Sequence, residues 1–214
     1  MKLYDYAYSS AAYRVRIALN LKGVAYEQST VSLIKDGGQQ HSAAYKAINP
    51  QALIPTLEVD GRAIGQSLAI IEYLDEVYPV PPLLPTYPAE KARVRQIAYE
   101  IACDIHPVNN MRVRGQLKSL GHSEEEIMAK WYAHWITIGF AALETQLNAS
   151  KETGVFCHGD TPTLADICLV PQMANAFRFK VPVDAFPTLV RIDKTARALP
   201  AFAAAAPERQ PDAA

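Results

Sequence analysis

The chain has 214 residues, half of them hydrophobic, which is enough to build one large domain or two small ones. Its 21 basic and 22 acidic residues nearly cancel, which argues against the basic face that a nucleic-acid partner requires. No apolar run approaches the roughly 18 residues of a membrane helix, and no signal peptide is visible. We therefore expect a protein that binds neither nucleic acid nor membrane, with a cytoplasmic location as the simplest interpretation.

Cysteine usage agrees with that interpretation. The three cysteines, Cys103, Cys157 and Cys168, are widely spaced and odd in number. They have the spacing of neither a disulfide framework nor a zinc site. The sequence therefore predicts reduced thiols and no metal.

The first eighty residues alternate between strand-like and helix-like segments. We predict a strand at 2–7, followed by a helix with Tyr13, Ile17 and Leu21 at helical spacing that ends at Gly23. The other faces of this helix carry Arg14, Arg16, Asn20 and Lys22. Further along the chain we predict a strand at 25–31, a short helix at 42–47, an extended segment at 54–59 and a helix from Ser67. Asp60-Gly61 is a strong hairpin signal. The predicted order is β-α-β-α-β-β-α.

A proline-rich stretch marks the domain boundary, because five prolines between 79 and 88 disfavour helix and strand alike. We assign residues 1–80 to the first domain, 81–88 to a linker and 89–214 to an all-helical domain. Within the latter, Ser123–Glu126 and Thr163–Asp166 read as capping boxes that open helices. The tail from Pro207, rich in alanine and proline, is predicted to fray.

Several sequence blocks point together to one known family. They are Ser-Ser-Ala-Ala-Tyr-Arg-Val-Arg-Ile-Ala-Leu at 9–19, Gly-Gly-Gln-Gln at 37–40, Asn-Pro-Gln-Ala-Leu-Ile-Pro-Thr-Leu at 49–57, Gln-Ser-Leu-Ala-Ile-Ile-Glu-Tyr-Leu at 66–74, Cys-Asp-Ile-His-Pro-Val-Asn-Asn at 103–110 and Gly-Asp-Thr-Pro-Thr-Leu-Ala-Asp at 159–166. With these motifs the sequence resembles the zeta class of glutathione transferases, the maleylacetoacetate isomerase family, over essentially its full length. The block at 9–19 is specific to this class.

The resemblance implies a fold, a cofactor and an assembly. The fold is a thioredoxin-like α/β N-terminal domain followed by an all-α C-terminal domain. The cofactor is glutathione, in the cleft between the domains, and the assembly is a homodimer. The residues that the family pattern assigns to glutathione are Ser9, Ser10, Ala11, Arg14, Gln40, Ile54, Pro55, Gln66, Ser67, Asp104, His106 and Asn110.

Ser9 and Ser10 are the candidate catalytic residues, and Ser9 is the better candidate for contact with the sulfur. They precede a helix, whose N-terminus offers unpaired N–H groups and a positive dipole end. Lowering a thiol pKa from about 8.5 to about 7 requires roughly 2 kcal/mol. One charge-assisted hydrogen bond plus the dipole supplies that amount. The alternative is that both serines only cap the helix.

Three further contacts to glutathione follow from the resemblance. A cis Pro55 leaves the Ile54 backbone free to pair with the peptide as an added strand would. Gln66 and Ser67 open a helix whose N-terminus suits the γ-glutamyl carboxylate, with Ser67 also expected as the N-cap. Gln40 would reach the other end of the tripeptide, its alternative being a solvated loop residue.

We expect a small substrate that carries carboxylates to contact four residues, Tyr8, Met111, Arg112 and Arg178. Guanidinium groups bind carboxylates through paired hydrogen bonds, which favours the two arginines. The chain departs from the family pattern at Tyr8, where arginine is common, and at Ala11, where cysteine or threonine is usual. A tyrosine there could itself donate to the sulfur, as in other transferase classes.

The predicted function is a glutathione-dependent cis–trans isomerase acting on maleylacetoacetate or maleylpyruvate, from aromatic catabolism. Glutathione brings the nucleophile, which explains why no protein cysteine is needed. Two alternatives remain: a conjugating or dehalogenating transferase that consumes glutathione, and a non-catalytic glutathione-binding protein. Tyr8 and Ala11 keep the first alternative open, whereas Ser9 argues against the second.

Overall fold

The structure is a computed structural model, and it describes residues 1–213. Two compact units are present. The first comprises Met1–Pro82 together with the chain from Ala198 onward, and the second is Leu83–Arg197. The C-terminal residues therefore differ from the sequence prediction, which gave all of 89–214 to the helical domain. The reason is that buried contacts to the first helix hold the chain after Ala198, and local sequence pattern does not report such contacts.

The first unit is a four-stranded sheet with helices, in the predicted order β-α-β-α-β-β-α. Its elements are β1 (Lys2–Asp5), α1 (Ser10–Lys22), β2 (Glu27–Thr30), α2 (Ala43–Ile48), β3 (Thr56–Val59), β4 (Arg62–Gly65) and α3 (Ser67–Val77). The strands lie in the order β2-β1-β3-β4, with β1 and β2 parallel and the other pairs antiparallel. Asp60 and Gly61 both have positive φ, as a tight hairpin between twisted strands requires. The thioredoxin-like prediction is confirmed.

Helix α1 lies at the centre of this unit and packs against α3 and against a late helix, α10 (Pro200–Ala205). Its Val15, Ile17 and Leu19 are fully buried, each stabilising the fold by about 2 kcal/mol. Arg14 and Arg16, predicted on the helix's other faces, are also buried, at 1% and 0% exposure. The helix is thus enclosed on nearly every side, and its two arginines need partners inside the protein.

The regular secondary structure of the second unit is entirely helical among its described residues, as predicted. It contains α4 (Pro88–Tyr99), α5 (Met111–Ser119), a short α6 (Glu124–Glu126), α7 (Ala133–Ala149), α8 (Leu164–Arg178) and α9 (Pro187–Arg197). π-Helical turns at Glu100–Ile105 and Ile127–Tyr132 extend α4 and precede α7. Among the described residues, none of the helices combines the length and the apolar character that crossing a bilayer demands.

Both predicted capping boxes are present. At Ser123 the hydroxyl accepts from Glu126 N at 3.2 Å, and the Glu126 carboxylate accepts from Ser123 N in return. At the start of α8, the fully buried Asp166 accepts from Thr163 N at 2.8 Å and from Cys157 N at 2.8 Å. Burial raises the pKa of Asp166, and these hydrogen bonds oppose that rise. Asp166 is therefore a structural cap, as the sequence predicted.

Residues 207–213 are folded as part of the first unit, so the prediction of a frayed tail is wrong for the described residues. Gln210 is buried and donates to the carbonyls of Ala204 and Ala206 at 3.0 and 2.9 Å. Asp212 accepts a hydrogen bond from Ala7 N at 3.1 Å. Hydrogen bonds to distant residues hold the segment in place, and its composition gives no sign of them.

Asp193 in α9 carries a testable pH effect. It is 3% exposed, and burial raises its pKa to about 6 although Arg197 lies 3.6 Å away. Since the folded-state pKa exceeds the unfolded value of about 3.9, the folded state binds the proton more tightly and stability falls as pH rises between about 4 and about 6. We expect Asp193→Asn to raise the free energy of unfolding by about 3 kcal/mol at alkaline pH and by almost nothing below pH of about 4.

Urea denaturation at the two pH values measures this effect, and Asp184→Asn, an exposed aspartate of the same unit, is the matched control. An equal gain at both pH values would show that the carboxylate charge is not its cause.

Candidate active site

The register of the sheet brings four connecting segments to one edge. β1 ends at Asp5, which pairs with Thr30 at the end of β2, while Tyr4 pairs with Thr56 at the start of β3. Thr56 in turn pairs with Gly65 at the end of β4. Four segments therefore meet at this edge, namely the residues after Asp5, after Thr30, before Thr56 and after Gly65. They include the predicted site residues Tyr8, Ser9, Ser10, Gln40, Ile54, Pro55, Gln66 and Ser67.

Ser9 is the N-cap of α1, a helix of 13 residues. Its hydroxyl oxygen accepts a hydrogen bond from Ala12 N at 3.2 Å, which satisfies one of the first-turn donors. A hydroxyl can accept and donate at the same time, and among the described residues nothing accepts the Ser9 proton. The two sequence interpretations of Ser9 are thus compatible. It caps the helix and still holds a donor for an anion at the positive end of the dipole. Ser10, the first helical residue, is 7% exposed, and Ala11 is half-buried.

The Ile54–Pro55 peptide bond is cis, as the family pattern implied. Ile54 is 8% exposed, and its backbone N–H and C=O form no hydrogen bond with any described residue. Buried backbone groups are almost always paired, so this pair is available to an extended peptide that adds alongside it. The neighbouring Leu53 carbonyl, by contrast, accepts from Tyr45 Oη at 2.7 Å and from Asn49 Nδ2 at 2.9 Å.

The N-terminus of α3 forms a second electropositive point. Gln66 is the N-cap, with φ of +67° and no side-chain cap, and Ser67 is the first helical residue. The prediction of Ser67 as N-cap is therefore wrong by one position, because the Ser67 hydroxyl instead accepts from the buried Arg14 guanidinium at 3.3 Å. A left-handed glutamine is a strained conformation of the kind that concentrates at functional sites. The uncapped helix end and the guanidinium together favour a carboxylate.

Gln40 lies in the segment between β2 and α2. Its amide nitrogen is 3.1 Å from His41 Nε2, and its amide oxygen is buried with no hydrogen bond from the described residues. Gly38 makes this position possible, since a Cβ there would lie 2.7 Å from the Gln40 amide nitrogen and the backbone φ is +102°. This close approach gives the Gly-Gly-Gln-Gln motif a physical reason.

Comparison with known proteins decides the family. Residues 3–82 match the family "Glutathione S-transferase, N-terminal domain". A probable maleylacetoacetate isomerase of Vibrio cholerae is 52% identical over 99% of this chain and 97% of its own. A bacterial maleylpyruvate isomerase of the zeta class, solved in its holo form, is 46% identical over all of both chains with a TM-score of 0.96. A maleylacetoacetate isomerase of Methylobacterium extorquens with bound malonate and glutathione is 42% identical over 99% and 98%, with a TM-score of 0.94.

The chain belongs to the zeta class of glutathione transferases. The resemblance inferred from the motifs is confirmed by this full-length similarity.

Tyr8 is the position at which this zeta-class chain departs from the common arginine. The ring is half-buried and packs edge-to-face against Tyr6 at 6.1 Å. The Tyr8 hydroxyl donates to the Ala213 carbonyl at 2.9 Å. In this conformation the tyrosine proton is committed to the end of the chain, which favours Ser9 over Tyr8 as the donor to a thiolate.

The remaining predicted residues lie in the second unit. Asp104 is exposed on the first π-helical turn, and His106 precedes a 3₁₀ turn at Pro107–Asn109. Asn110 is the N-cap of α5, where its side chain accepts from Arg112 N at 3.1 Å. Met111 and Arg112 are exposed, so the structure gathers residues 104–112 on one irregular stretch.

Arg178 is the other predicted carboxylate ligand, and it stands at the end of α8. Its guanidinium lies over the ring of Phe179 at 5.3 Å. No sequence motif singled out Arg114, whose guanidinium lies over both Tyr132 and Phe179 at 5.7 and 5.4 Å. Burial raises the pKa of Tyr132, and the charges of Arg114 and Arg178 oppose that rise. The spacing of Arg112 and Arg114 along α5 gave no signal that they face different surroundings.

Arg16 is a second residue that sequence reasoning missed. Its Nη1 donates to Asp5 Oδ1 at 2.7 Å, its Nη2 to the Ala7 carbonyl at 2.9 Å and its Nε to the Ala205 carbonyl at 2.9 Å. The guanidinium thereby holds the connection between β1 and α1, which carries Tyr8 and Ser9. The available signal was its position between Val15 and Ile17 in a helix that is apolar on most sides.

Proposed function

We propose that this protein is a glutathione-dependent cis–trans isomerase of small unsaturated dicarboxylates of the maleyl type, maleylacetoacetate or maleylpyruvate. The observation that carries the proposal is Ser9, a helix cap that accepts from Ala12 N while its own proton remains available at the positive end of α1. The solved zeta-class relatives with glutathione support the same cofactor here.

The described residues fit glutathione at three points. The unpaired Ile54 backbone suits the peptide backbone of the cofactor, and the uncapped α3 N-terminus beside Arg14 suits its γ-glutamyl carboxylate. The buried Gln40 amide oxygen suits a donor at the opposite end. The family pattern adds Ser10, Ala11, Pro55 and Gln66 to this set, with Asp104, His106 and Asn110 from the second unit.

The chemistry divides between cofactor and protein. When bound, glutathione supplies a thiolate that adds reversibly to the cis double bond, so that the bond can rotate while it is single, and leaves unchanged. The Ser9 hydroxyl donates a hydrogen bond to the sulfur, which stabilises the thiolate and keeps the nucleophile ionised near neutral pH. Arg112 and Arg178 bind the substrate carboxylates, which orients the double bond towards the sulfur. Tyr8 and Met111 complete the substrate contacts.

We further propose a homodimer, which the family resemblance implies, and a reducing compartment. A size measurement in solution tests the dimer. None of the described cysteines forms a disulfide; Cys103 is exposed and the other two are buried, which suits the cytoplasm where glutathione is reduced.

Isomerisation is separated from conjugation by following substrate and thiol together. We expect maleylacetoacetate or maleylpyruvate to lose its cis absorbance in the presence of catalytic glutathione, with the free-thiol concentration unchanged. Loss of thiol in proportion to substrate would instead identify a transferase or dehalogenase, the alternative that Tyr8 and Ala11 keep open. Glutathione binding without turnover of any kind would identify a non-catalytic binding protein.

A further inference from the structure

The end of the chain crosses the connection that carries the candidate catalytic serine. We call residues 205–213 the C-terminal strap. The Asp212 carboxylate accepts a hydrogen bond from Ala7 N at 3.1 Å, and the Ala213 carbonyl accepts from the Tyr8 hydroxyl at 2.9 Å. Ala7 and Tyr8 immediately precede Ser9, so the strap contacts the chain one and two residues before the cap of α1.

The C-terminal strap is itself firmly anchored. At its beginning, the Ala205 carbonyl accepts from the buried Arg16 guanidinium at 2.9 Å. In its middle, Gln210 is 9% exposed and donates hydrogen bonds to the carbonyls of Ala204 and Ala206. The Gln210 side chain also accepts a hydrogen bond from Gln28 Nε2 at 3.2 Å. Gln28 in turn belongs to β2, the edge strand beside β1. A segment held at both places by buried polar groups can fix the position of what it touches.

The β1–α1 connection is short, which makes it sensitive to that contact. Only Tyr6, Ala7, Tyr8 and Ser9 lie between Asp5 at the end of β1 and Ser10 at the start of α1. Within it, Ser9 N donates to the Tyr6 carbonyl at 3.0 Å, and Arg16 holds the carbonyls of Tyr6 and Ala7 from the other side. The backbone N–H of Ala7 is therefore the group through which the strap contributes to holding the connection.

We infer that Asp212 is a positioning residue for the thiolate site, acting through Ala7 and Tyr8 on Ser9. A carboxylate that accepts from a backbone N–H forms a charge-assisted bond, about twice as strong as a neutral one. Asp212 also tethers the strap beside the Ala213 carbonyl, which commits the Tyr8 hydroxyl and leaves the sulfur to Ser9. A site of this kind needs its donors held to within about 0.5 Å.

The test compares Asp212→Ala with Glu208→Ala, an exposed acidic residue of the same strap. We expect Asp212→Ala to raise the thiol pKa of bound glutathione, read from the ultraviolet absorbance of the thiolate, and to move the alkaline rise of kcat/KM to higher pH. Turnover at neutral pH should fall about tenfold, less than the roughly 100-fold that a misplacement of about 1 Å can cost. The KM for glutathione should change little, and Asp212→Asn, which keeps an acceptor oxygen, should recover most of the loss.

This inference rests on the proposed function, and the two fail differently. If the unaltered protein does not bind glutathione, the proposed function is wrong. If it binds and ionises glutathione but Asp212→Ala leaves the thiol pKa and turnover unchanged, or if Glu208→Ala has the same effect, only the role of Asp212 is refuted. A fall in thermal stability alone, with an unshifted thiol pKa, also refutes it, since that outcome shows a structural contact only.

Discussion

Ser9→Ala is expected to lower turnover at neutral pH by about 10- to 100-fold, the effect of losing one charge-assisted hydrogen bond to the sulfur. Glutathione binding should weaken only modestly, because the Ile54 backbone and the N-terminus of α3 are untouched. The loss should shrink as pH is raised past the ordinary thiol pKa of about 8.5, where glutathione ionises without help. The measurement is the pH profile of kcat/KM together with the affinity for glutathione.

Loss of the cap is the confounding effect in this variant, since removing an N-cap hydroxyl costs about 1 kcal/mol of stability. Ser123→Ala is the matched control, because Ser123 caps a helix in the same way, accepting from Glu126 N at 3.2 Å. It should lose comparable stability with full turnover. If Ser9→Ala retains turnover at every pH, the thiolate donor is instead Tyr8 or a backbone amide, and Tyr8→Phe then becomes the decisive variant.

Arg16→Met should lower the free energy of unfolding by about 3 to 5 kcal/mol, because it leaves a buried carboxylate without its cation. Arg16 and Asp5 are 0% and 1% exposed, and their charged atoms lie 2.7 Å apart. Among the described residues, the Asp5 carboxylate would then accept hydrogen bonds only from Tyr6 N and Gln28 Nε2. A loss of this size is a large fraction of the stability of a typical domain, about 5 to 15 kcal/mol.

Urea denaturation measures the loss, and Arg62→Met at an exposed position of β4 should change stability by less than about 0.5 kcal/mol. Asp5→Asn combined with Arg16→Met should be less damaging than the sum of the two single variants, since no charge is then stranded. A loss of under about 1 kcal/mol for Arg16→Met would mean that the pair behaves as a solvent-exposed ion pair.

Local sequence signals predicted the elements well wherever a short-range physical cause exists. The Asp60-Gly61 hairpin follows from two residues that tolerate positive φ, and the helix end at Gly23 follows from its φ of +64°. The capping boxes at Ser123 and Thr163 are likewise contained within four residues. The family motifs then predicted the site residues Ser9, Ile54 and Ser67, which meet at one edge of the sheet.

Predictions failed where the deciding partner is distant in the chain. Ser67 looks like an N-cap from its neighbours, but Arg14, 53 residues earlier, takes its hydroxyl, and Gln66 becomes the cap instead. Helical periodicity also groups Val77 with Ile70 and Leu74, yet Val77 is 47% exposed in the last turn of α3 whereas the other two are fully buried. A helical pattern reports which residues share a face, but not where the surface covering that face ends.

The sequence by itself determined the order of strands and helices, the two capping boxes, and the residue types that a thiolate site requires, because each of these depends on contacts within a few residues. Only the tertiary structure decided that two arginines of α1 are buried and that the last residues of the chain belong to the first unit. Both outcomes depend on hydrogen bonds between residues up to 205 positions apart, such as Ala7 with Asp212. The alanine- and proline-rich composition of the last residues predicts a frayed tail. The tail is ordered because Arg16 and Ala7, which are distant in the chain, form hydrogen bonds with it.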